Sequence, residues 1–243
     1  MLISVVVPVK DDADGLRSTL ASIPDENQVE IIVIDGGSKE CTLEVIREHI
    51  ARIGYFESGE DSGIANAMNR GIERSTGDYV AILNAGDEWL PKTFERVLAA
   101  IAQKPDVGMF HGSIRYQHEN GTTYERKPHL ARMHRRMWMF HPTWFVSANC
   151  YATIGGYDER YELAMDSEWC HRAITSGVKI VEIDACMAVM TLGGRSDIHF
   201  TQALGEYRRS VVKHGLSFPV TAWFWYRVFV LVKTLRRSIS RFI

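Results

Sequence analysis

Cysteine is scarce in this sequence, long apolar runs are missing, and neither sign of charge dominates. The four cysteines, Cys41, Cys150, Cys170 and Cys186, form no Cys-x-x-Cys pair. That argues against a zinc site or a disulfide framework and for lone thiols in a reducing compartment. Cys170 and His171 are adjacent, but neighbouring side chains on a helix diverge. No stretch supplies the ~20 consecutive apolar residues a membrane-spanning helix needs. The richest, residues 218–232, is interrupted by Pro219 and Arg227. The apolar run at residues 2–7 has no basic residue before it and stops at Pro8 and Lys10, so it reads as a strand and not as a secretory signal. A formal net charge of -2 gives no reason to expect whole-protein binding to nucleic acid. With 46% hydrophobic and 24% charged residues, disorder is not expected either.

What is present is an ordered alternation. At 243 residues the chain is one large domain or two small ones. Residues 2–7 are almost wholly apolar and β-branched, the pattern of a parallel strand covered on both faces. A loop, Pro8-Val9-Lys10-Asp11-Asp12, leads to a helix over 13–23. Residues 30–34 form a second strand with Asp35-Gly36-Gly37-Ser38 as its exit. A helix over 42–53 carries Leu43, Ile46 and Ile50 at helical spacing, and residues 55–58 make a short strand. This rhythm predicts a mainly parallel α/β sheet. Residues 60–72 are a loop entering a helix with a buried stripe of Ile64, Ala67, Met68 and Ile72, and Asn69 lies in that helix. Residues 79–83 read as a buried strand between Gly77 and Gly86 that delivers Asn84 and Asp87 into a tight turn. A helix is expected over 91–103, with Pro91 at its first position.

Open α/β sheets bind ligands beyond the carboxyl ends of their strands. Asp87 is a hard, anionic oxygen donor suited to Mg²⁺ or Mn²⁺ riding on a phosphate. By itself it reads first as an Asx turn or a helix N-cap, and only the rest of the chain favours the metal. A dinucleotide-binding dehydrogenase or methyltransferase needs a glycine-rich turn after its first strand. Here that turn has no glycine and two carboxylates, which would repel a pyrophosphate.

In the second half, residues 107–117 predict a strand and 121–126 its hairpin partner across Asn120-Gly121. Residues 127–136 are basic, either a solvated loop or one facing phosphate or membrane. His141-Pro142-Thr143-Trp144-Phe145 precedes a helix over 147–154 and a turn over 155–159. Asp166 then reads as an N-cap or first-turn acid. From Phe218 the composition shifts. Phe224, Val228, Leu231, Leu235, Ile239 and Phe242 recur at three- and four-residue steps, with Arg227, Lys233, Arg236, Arg237 and Arg241 mainly on the other side. This is the pattern of a helix lying in a membrane interface, or of one packed on the domain or a second subunit.

Four segments in order, residues 5–11, 32–38, 63–72 and 76–87, resemble the family-2 glycosyltransferases. So does Gly-Gly-Tyr-Asp-Glu at 155–159 followed by Met165-Asp166-Ser167-Glu168-Trp169. The resemblance implies a GT-A fold and an inverting transfer from a nucleotide-diphosphate sugar, with a UDP-sugar as the expected donor. By the same resemblance Pro8, Val9 and Asp11 border the nucleoside and Asp35 binds the base or ribose. Asp61, Gly63 and Asn69 line the donor pocket, with Asn84 and Ala85 beside the metal on Asp87. Asp166 aligns with the catalytic base and Glu168 with the acid after it. Residues 191–196 resemble the loop that closes over the donor, where Arg195 would reach a phosphate and His199 add a metal ligand. His141, Trp144, Glu168 and Trp169 are assigned to the acceptor side. The chain departs from the family pattern at Gly86, where an acid is usual, and at Met165, where Glu is frequent. It has no Gln-x-x-Arg-Trp segment of processive synthases. The expected organisation is a catalytic domain over 1–215, with a nucleotide-sugar half (1–105) and an acceptor half (106–215), and a helical tail over 216–243. An acceptor on a polyprenyl diphosphate, a place on the inner face of the cell membrane and a surface-polysaccharide role fit the tail, as would a homo-oligomer. The competing readings are a binding scaffold without catalysis and a nucleotidyltransferase of similar fold, which usually has a glycine-rich N-terminal loop.

Overall fold

The structure, a computed structural model, describes residues 1–118 and 120–239, the last four by backbone alone. The first strand, β1 (Ile3–Val9), is buried along its whole length. It pairs in parallel with β2 (Val29–Asp35) and β4 (Tyr79–Ile82), and β3 (Ile53–Ser58) extends the sheet beyond β2. Its side chains alternate. Ile3, Val5 and Val7 pack under α1 (Ala13–Ser22) and α2 (Thr42–Glu48), while Val6 packs on the other face under α3 (Ile64–Arg74). The approach of α3 is close: a Cβ on Gly71 would come within 2.1 Å of Val6 Cγ1. Only glycine lets the helix settle there.

The sheet is mixed, with strand order β3-β2-β1-β4-β8-β6-β9-β5 and β7 (Thr123–Arg126) on β6 (Met109–Gln117). β8 (Phe145–Ser147) runs antiparallel to β4 and β6, β9 (Ile180–Thr191) parallel to β6, and β5 (Asp87–Trp89) antiparallel to β9. Strands β1–β4, β6 and β9 therefore point the same way, and their carboxyl ends share one edge. β5 and β8 start from that edge. One sheet draws on both halves of the chain, and α4 (Thr93–Gln103), α5 (Ala148–Ile154) and α6 (Met165–Thr175) cover its faces.

Three expectations change. The residues after Asn84 form β5 because Met190, Val189 and Ala188 of β9 supply a ladder partner. The helix expected from Pro91 begins at Thr93, preceded by Lys92 at φ 68°. The helix expected to run to residue 53 ends at Glu48, which leaves Ile50 exposed on the turn into β3.

Two helices complete the chain. α8 (Phe200–Lys213) packs on α6, and α9 (Pro219–Ile239) lies over α8, with Ala222 against Tyr207 and Val211. The buried Glu168 of α6 clasps the first pair. It accepts from Arg172 Nε (2.9 Å), Lys213 Nζ (3.2 Å) and His214 Nε2 (3.0 Å). Among the described residues no helix is long and apolar enough to cross a membrane. In the predicted tail stripe Phe224, Leu231 and Leu235 are exposed and Val228 is half-buried. The side chains of Arg236, Arg237 and Ile239, and all of Arg241 and Phe242, lie outside the described residues.

Candidate active site at the carboxyl edge of the sheet

The exits of β1, β2 and β3 are tied to one another by carboxylates. Asp35, fully buried, accepts from Ser38 N (3.2 Å), the Ser38 hydroxyl and Ser58 Oγ (2.6 Å). Ser38 Oγ accepts from Asp11 N (2.8 Å), and Asp11 Oδ1 accepts from Lys39 N (2.7 Å). Asp61 Oδ1 accepts from Gly63 N (3.0 Å), and a Cβ on Gly36 would come 2.5 Å from Asp61 Oδ2. The carbonyls of Pro8 and Val9 accept from Ala85 N and Gly36 N. Pro8, Val9, Asp11, Asp35, Asp61, Gly63 and Ala85 thus gather at one place. Asn69 sits one and a half turns into α3 and is otherwise engaged. Its Oδ1 accepts from Tyr157 N (2.7 Å), and its Nδ2 donates to Tyr157 O (3.0 Å) and Glu159 Oε1 (3.2 Å). It fastens the 155–159 turn onto α3 and borders an open groove of about 610 Å³ between α3 and α5.

Asp87 lies at the start of β5, beside these exits. The turn is held through its backbone: Thr19 Oγ1 donates to Asp87 O (2.7 Å) and accepts from Gly86 N (3.0 Å). The Asp87 side chain is buried and receives one long hydrogen bond, from Asn84 Nδ2 at 3.4 Å. Burial without a cation pushes its carboxyl up to about 8. Asn84 Oδ1 is also buried and has no partner among the described residues. An under-supplied carboxyl beside an orphan amide oxygen is a donor set that fits a hard divalent cation. Among the described residues no three His, Cys, Asp or Glu converge as a metal cage. His199 therefore does not complete one. It is exposed at the junction of α7 (Arg195–Ile198) and α8, and Arg195 is exposed at the start of α7. Their loop leaves β9 one residue after Met190, the partner of Asp87.

α6 returns from the same edge to the start of β9, which puts Asp166, in its first turn, at that edge. Asp166 is partly buried and accepts from Ser167 N (2.6 Å) and Ser167 Oγ (3.2 Å). Desolvation raises its pKa, and the charge of Glu206 adds to the rise. The sequence reading missed Glu206. From α8, its Oε2 accepts from Leu163 N (2.9 Å) and Ala164 N (3.0 Å), bracing the chain just before α6. The His141–Thr143 turn lies between β5 and Tyr157. On one side Trp89 Nε1 of β5 donates to Pro142 O (3.1 Å). On the other His141 Nε2 meets the Tyr157 hydroxyl at 2.9 Å, and the Asp166 charge is felt at Tyr157.

The aromatic acceptor residues are corrected. Trp169 is fully buried with Nε1 on Gly155 O (2.9 Å), and Trp144 is buried against it with ring centroids 6.2 Å apart. Neither offers a face to a sugar. His141 is buried too, and desolvation lowers its pKa to about 4, so it stays neutral. Glu168, in its clasp with Arg172, Lys213 and His214, is turned away from any acceptor. Aromatic residues spaced for a helix or flanking a turn look the same in sequence whether they form a platform or a core.

Residues 4–158 match the family described as Glycosyl transferase family 2. The chain belongs to that family. It is 26% identical over 184 residues to the PGL/p-HBAD biosynthesis glycosyltransferase of Mycobacterium bovis (strain BCG / Pasteur 1173P2), across 72% of this chain and 70% of the relative. Among solved structures, S. aureus TarS 1-349 in complex with UDP-GlcNAc superposes with TM-score 0.66 at 16% identity, over 87% of this chain and 67% of that one. The mannosyltransferase PcManGT from Pyrobaculum calidifontis, in complex with GDP-Man and Mn²⁺, superposes with TM-score 0.65 at 16% identity, over 87% of this chain and 62% of that one. The fold is GT-A.

Both departures of this glycosyltransferase from the family pattern have local causes. Gly86 sits at φ +88°, in the left-handed region that an acidic side chain would strain. A Cβ there would lie 3.7 Å from Oδ2 of Asp12, so a carboxylate from the β1 loop faces the position where the family usually has its own. Two consecutive acids after the first strand were the only sequence sign of it. Met165 is buried in the apolar cluster with Tyr157 and Trp169, where a glutamate would lie unpaired.

Proposed function

We propose that this glycosyltransferase is inverting and non-processive, and that it moves a sugar from a nucleotide diphosphate, a UDP-sugar first, to an acceptor hydroxyl. The reading is supported above all by one observation: the buried, under-supplied Asp87 beside the orphan Asn84 Oδ1, on the edge where α6 presents Asp166. Pro8, Val9, Asp11, Asp35, Asp61 and Gly63 shape the nucleoside side, and Ala85 and Arg195 lie toward the phosphates. Asp87 and Asn84 hold Mg²⁺ or Mn²⁺, which when bound supplies Lewis-acid neutralisation of the departing diphosphate. Asp166 takes the proton of the acceptor hydroxyl as that oxygen bonds to the anomeric carbon. The bond from that carbon to the diphosphate oxygen breaks in the same displacement, and the configuration inverts. A raised pKa suits Asp166 to this work, because a stronger base abstracts an alcohol proton more readily. The acceptor is a glycan on a lipid carrier such as a polyprenyl diphosphate, in a surface-polysaccharide pathway at the inner face of the cell membrane.

The test is a panel of nucleotide sugars measured for thermal stabilisation with and without Mn²⁺, followed by Asp166→Asn. One donor should stabilise the protein only with the metal, and Asp166→Asn should keep that stabilisation while losing transfer by roughly 10²–10⁴-fold. Donor binding without turnover in the wild type, on any acceptor, would leave a binding scaffold. Release of pyrophosphate from a nucleoside triphosphate would mark a nucleotidyltransferase.

A further inference from the structure

α9 is built the reverse of an ordinary surface helix. Its inner side is aromatic, and arginines of the body cover it: Arg135 lies 4.7 Å from the Trp225 ring, Arg136 5.3 Å from Phe229 and Arg208 5.8 Å from Tyr226. Its outer side is apolar apart from the exposed Arg227, which lies 5.5 Å from the Trp223 ring. Val220, Trp223, Phe224, Leu231 and Leu235 fall on one face at helical spacing, and with Phe218 just before the helix they are 52–81% exposed. A soluble monomer gains nothing from such a stripe. The charge beside it is of one sign. Residues 127–136 and 218–243 contain no Asp or Glu, although the whole chain carries -2. The loop that carries Arg135 and Arg136 is stacked on α9, and Arg132, Arg135, Arg208 and Arg227 are exposed around it. Among the described residues no carboxylate pairs with Arg132, Arg135 or Arg136, whereas Lys233 of α9 pairs with Asp197 at 2.5 Å.

We propose that the outward stripe of α9 and the basic loop at residues 130–136 form one docking face for an anionic lipid surface. The apolar side chains enter the headgroup–acyl boundary while the exposed Arg132 and Arg227 meet lipid phosphates. Helix and loop are one unit, because the cation–π stacks join them. A second copy of the chain would match the apolar stripe but would bring the same cations against the loop, so charge favours the bilayer. This deepens the reading of a lipid-borne acceptor and rests on it for its purpose, though not for its observations.

Full-length protein, without donor, should be co-sedimented with phosphatidylglycerol/phosphatidylethanolamine vesicles and with phosphatidylcholine vesicles. Binding to the anionic vesicles should be at least roughly tenfold tighter and should weaken at ~0.5 M salt. Leu231→Asp and Arg132→Glu should each weaken it by roughly tenfold or more. Both residues are exposed, and unchanged donor-induced stabilisation would show that the variants are folded. Equal binding of both vesicle types, or of wild type and variants, overturns the docking face. So does a wild-type dimer that Leu231→Asp splits and that ignores vesicles. Transfer to a soluble acceptor without vesicle binding sinks this proposal alone, and vesicle binding without transfer sinks only the catalytic reading.

Discussion

Burial sets Asp87 apart from an ordinary surface carboxylate. A carboxyl at about 8 in the folded protein and near 3.8 when unfolded binds its proton more tightly in the native state. The metal-free protein therefore loses stability as pH rises through that interval, because only the unfolded chain can ionise freely. Asp87→Asn should relieve this. The metal-free variant should melt above the wild type at pH 8, by about 2–4 °C for each kcal/mol relieved, and the gap should close towards pH 4. Added Mn²⁺ with nucleotide should reverse the order, since the variant lacks the charge that the cation needs. A melting series with pH and metal as the two variables checks both signs, and equal melting at every pH would deny the burial argument. Glu206 acts on the other carboxyl. It braces Leu163 and Ala164, and its charge adds to the rise at Asp166. Glu206→Gln keeps an acceptor oxygen but removes the charge. The acid limb of the kcat/KM profile should then move to lower pH. A fall in activity with that limb unmoved would make Glu206 merely structural.

Helices α6 and α8 are joined by a buried carboxylate as well as by the contacts of His171 with Ser210 and Tyr207. Glu168 answers Arg172, Lys213 and His214 at once, and Arg172 in turn donates to the carbonyls of Ile154 (2.8 Å) and Gly156 (2.6 Å). Glu168→Ala should cost about 2–3 kcal/mol, below the figure for a fully buried pair because the cations it frees are partly exposed. Urea unfolding measures this, and a loss under ~0.5 kcal/mol would show the clasp to be incidental. The Glu168–Arg172 pair, four residues apart on one helix, is a local pattern, but no sequence pattern predicts the rest of the clasp, because Lys213 and His214 lie more than forty residues away. The elements that were legible carry a local period. β1, β2 and β4 are short β-branched runs that need no partner to be recognised, and α3 declares its stripe. β5 was not legible, since three residues carry no period and its ladder comes from β9. β9 itself mixes Glu182 and Asp184 with apolar residues because it is only partly covered. The same limit governed the site. Asp87 and Asp166 stood out as acids at turn and helix starts, whereas Trp144, Trp169 and His141 showed their type and not their burial.

At the scale of the whole molecule, residues 1–105 and 106–215 are not independent bodies. β4 carries β1 on one side and β8 on the other, and among the described residues β5 pairs with β9 alone. Trp89 stacks on Phe145 at 4.9 Å, and Asn69 pairs with the Tyr157 backbone. A chain cut after residue 105 would bare the apolar edge of β4 and leave β5 unpaired, the condition under which strands seek wrong partners. The strand that carries Asp87 and the helix that carries Asp166 are thus tied to a single sheet, so loosening one half should disturb the other. The intact protein should unfold in one step, with far-ultraviolet circular dichroism and tryptophan fluorescence giving the same midpoint, while the 1–105 fragment should aggregate or stay unstructured. Tryptophans lie on both sides of the division, at 89 in the first half and at 144 and 169 in the second. Two separated transitions, or a soluble and cooperatively folding 1–105 fragment, would show that the halves are autonomous and that something other than the shared sheet sets the spacing of Asp87 and Asp166.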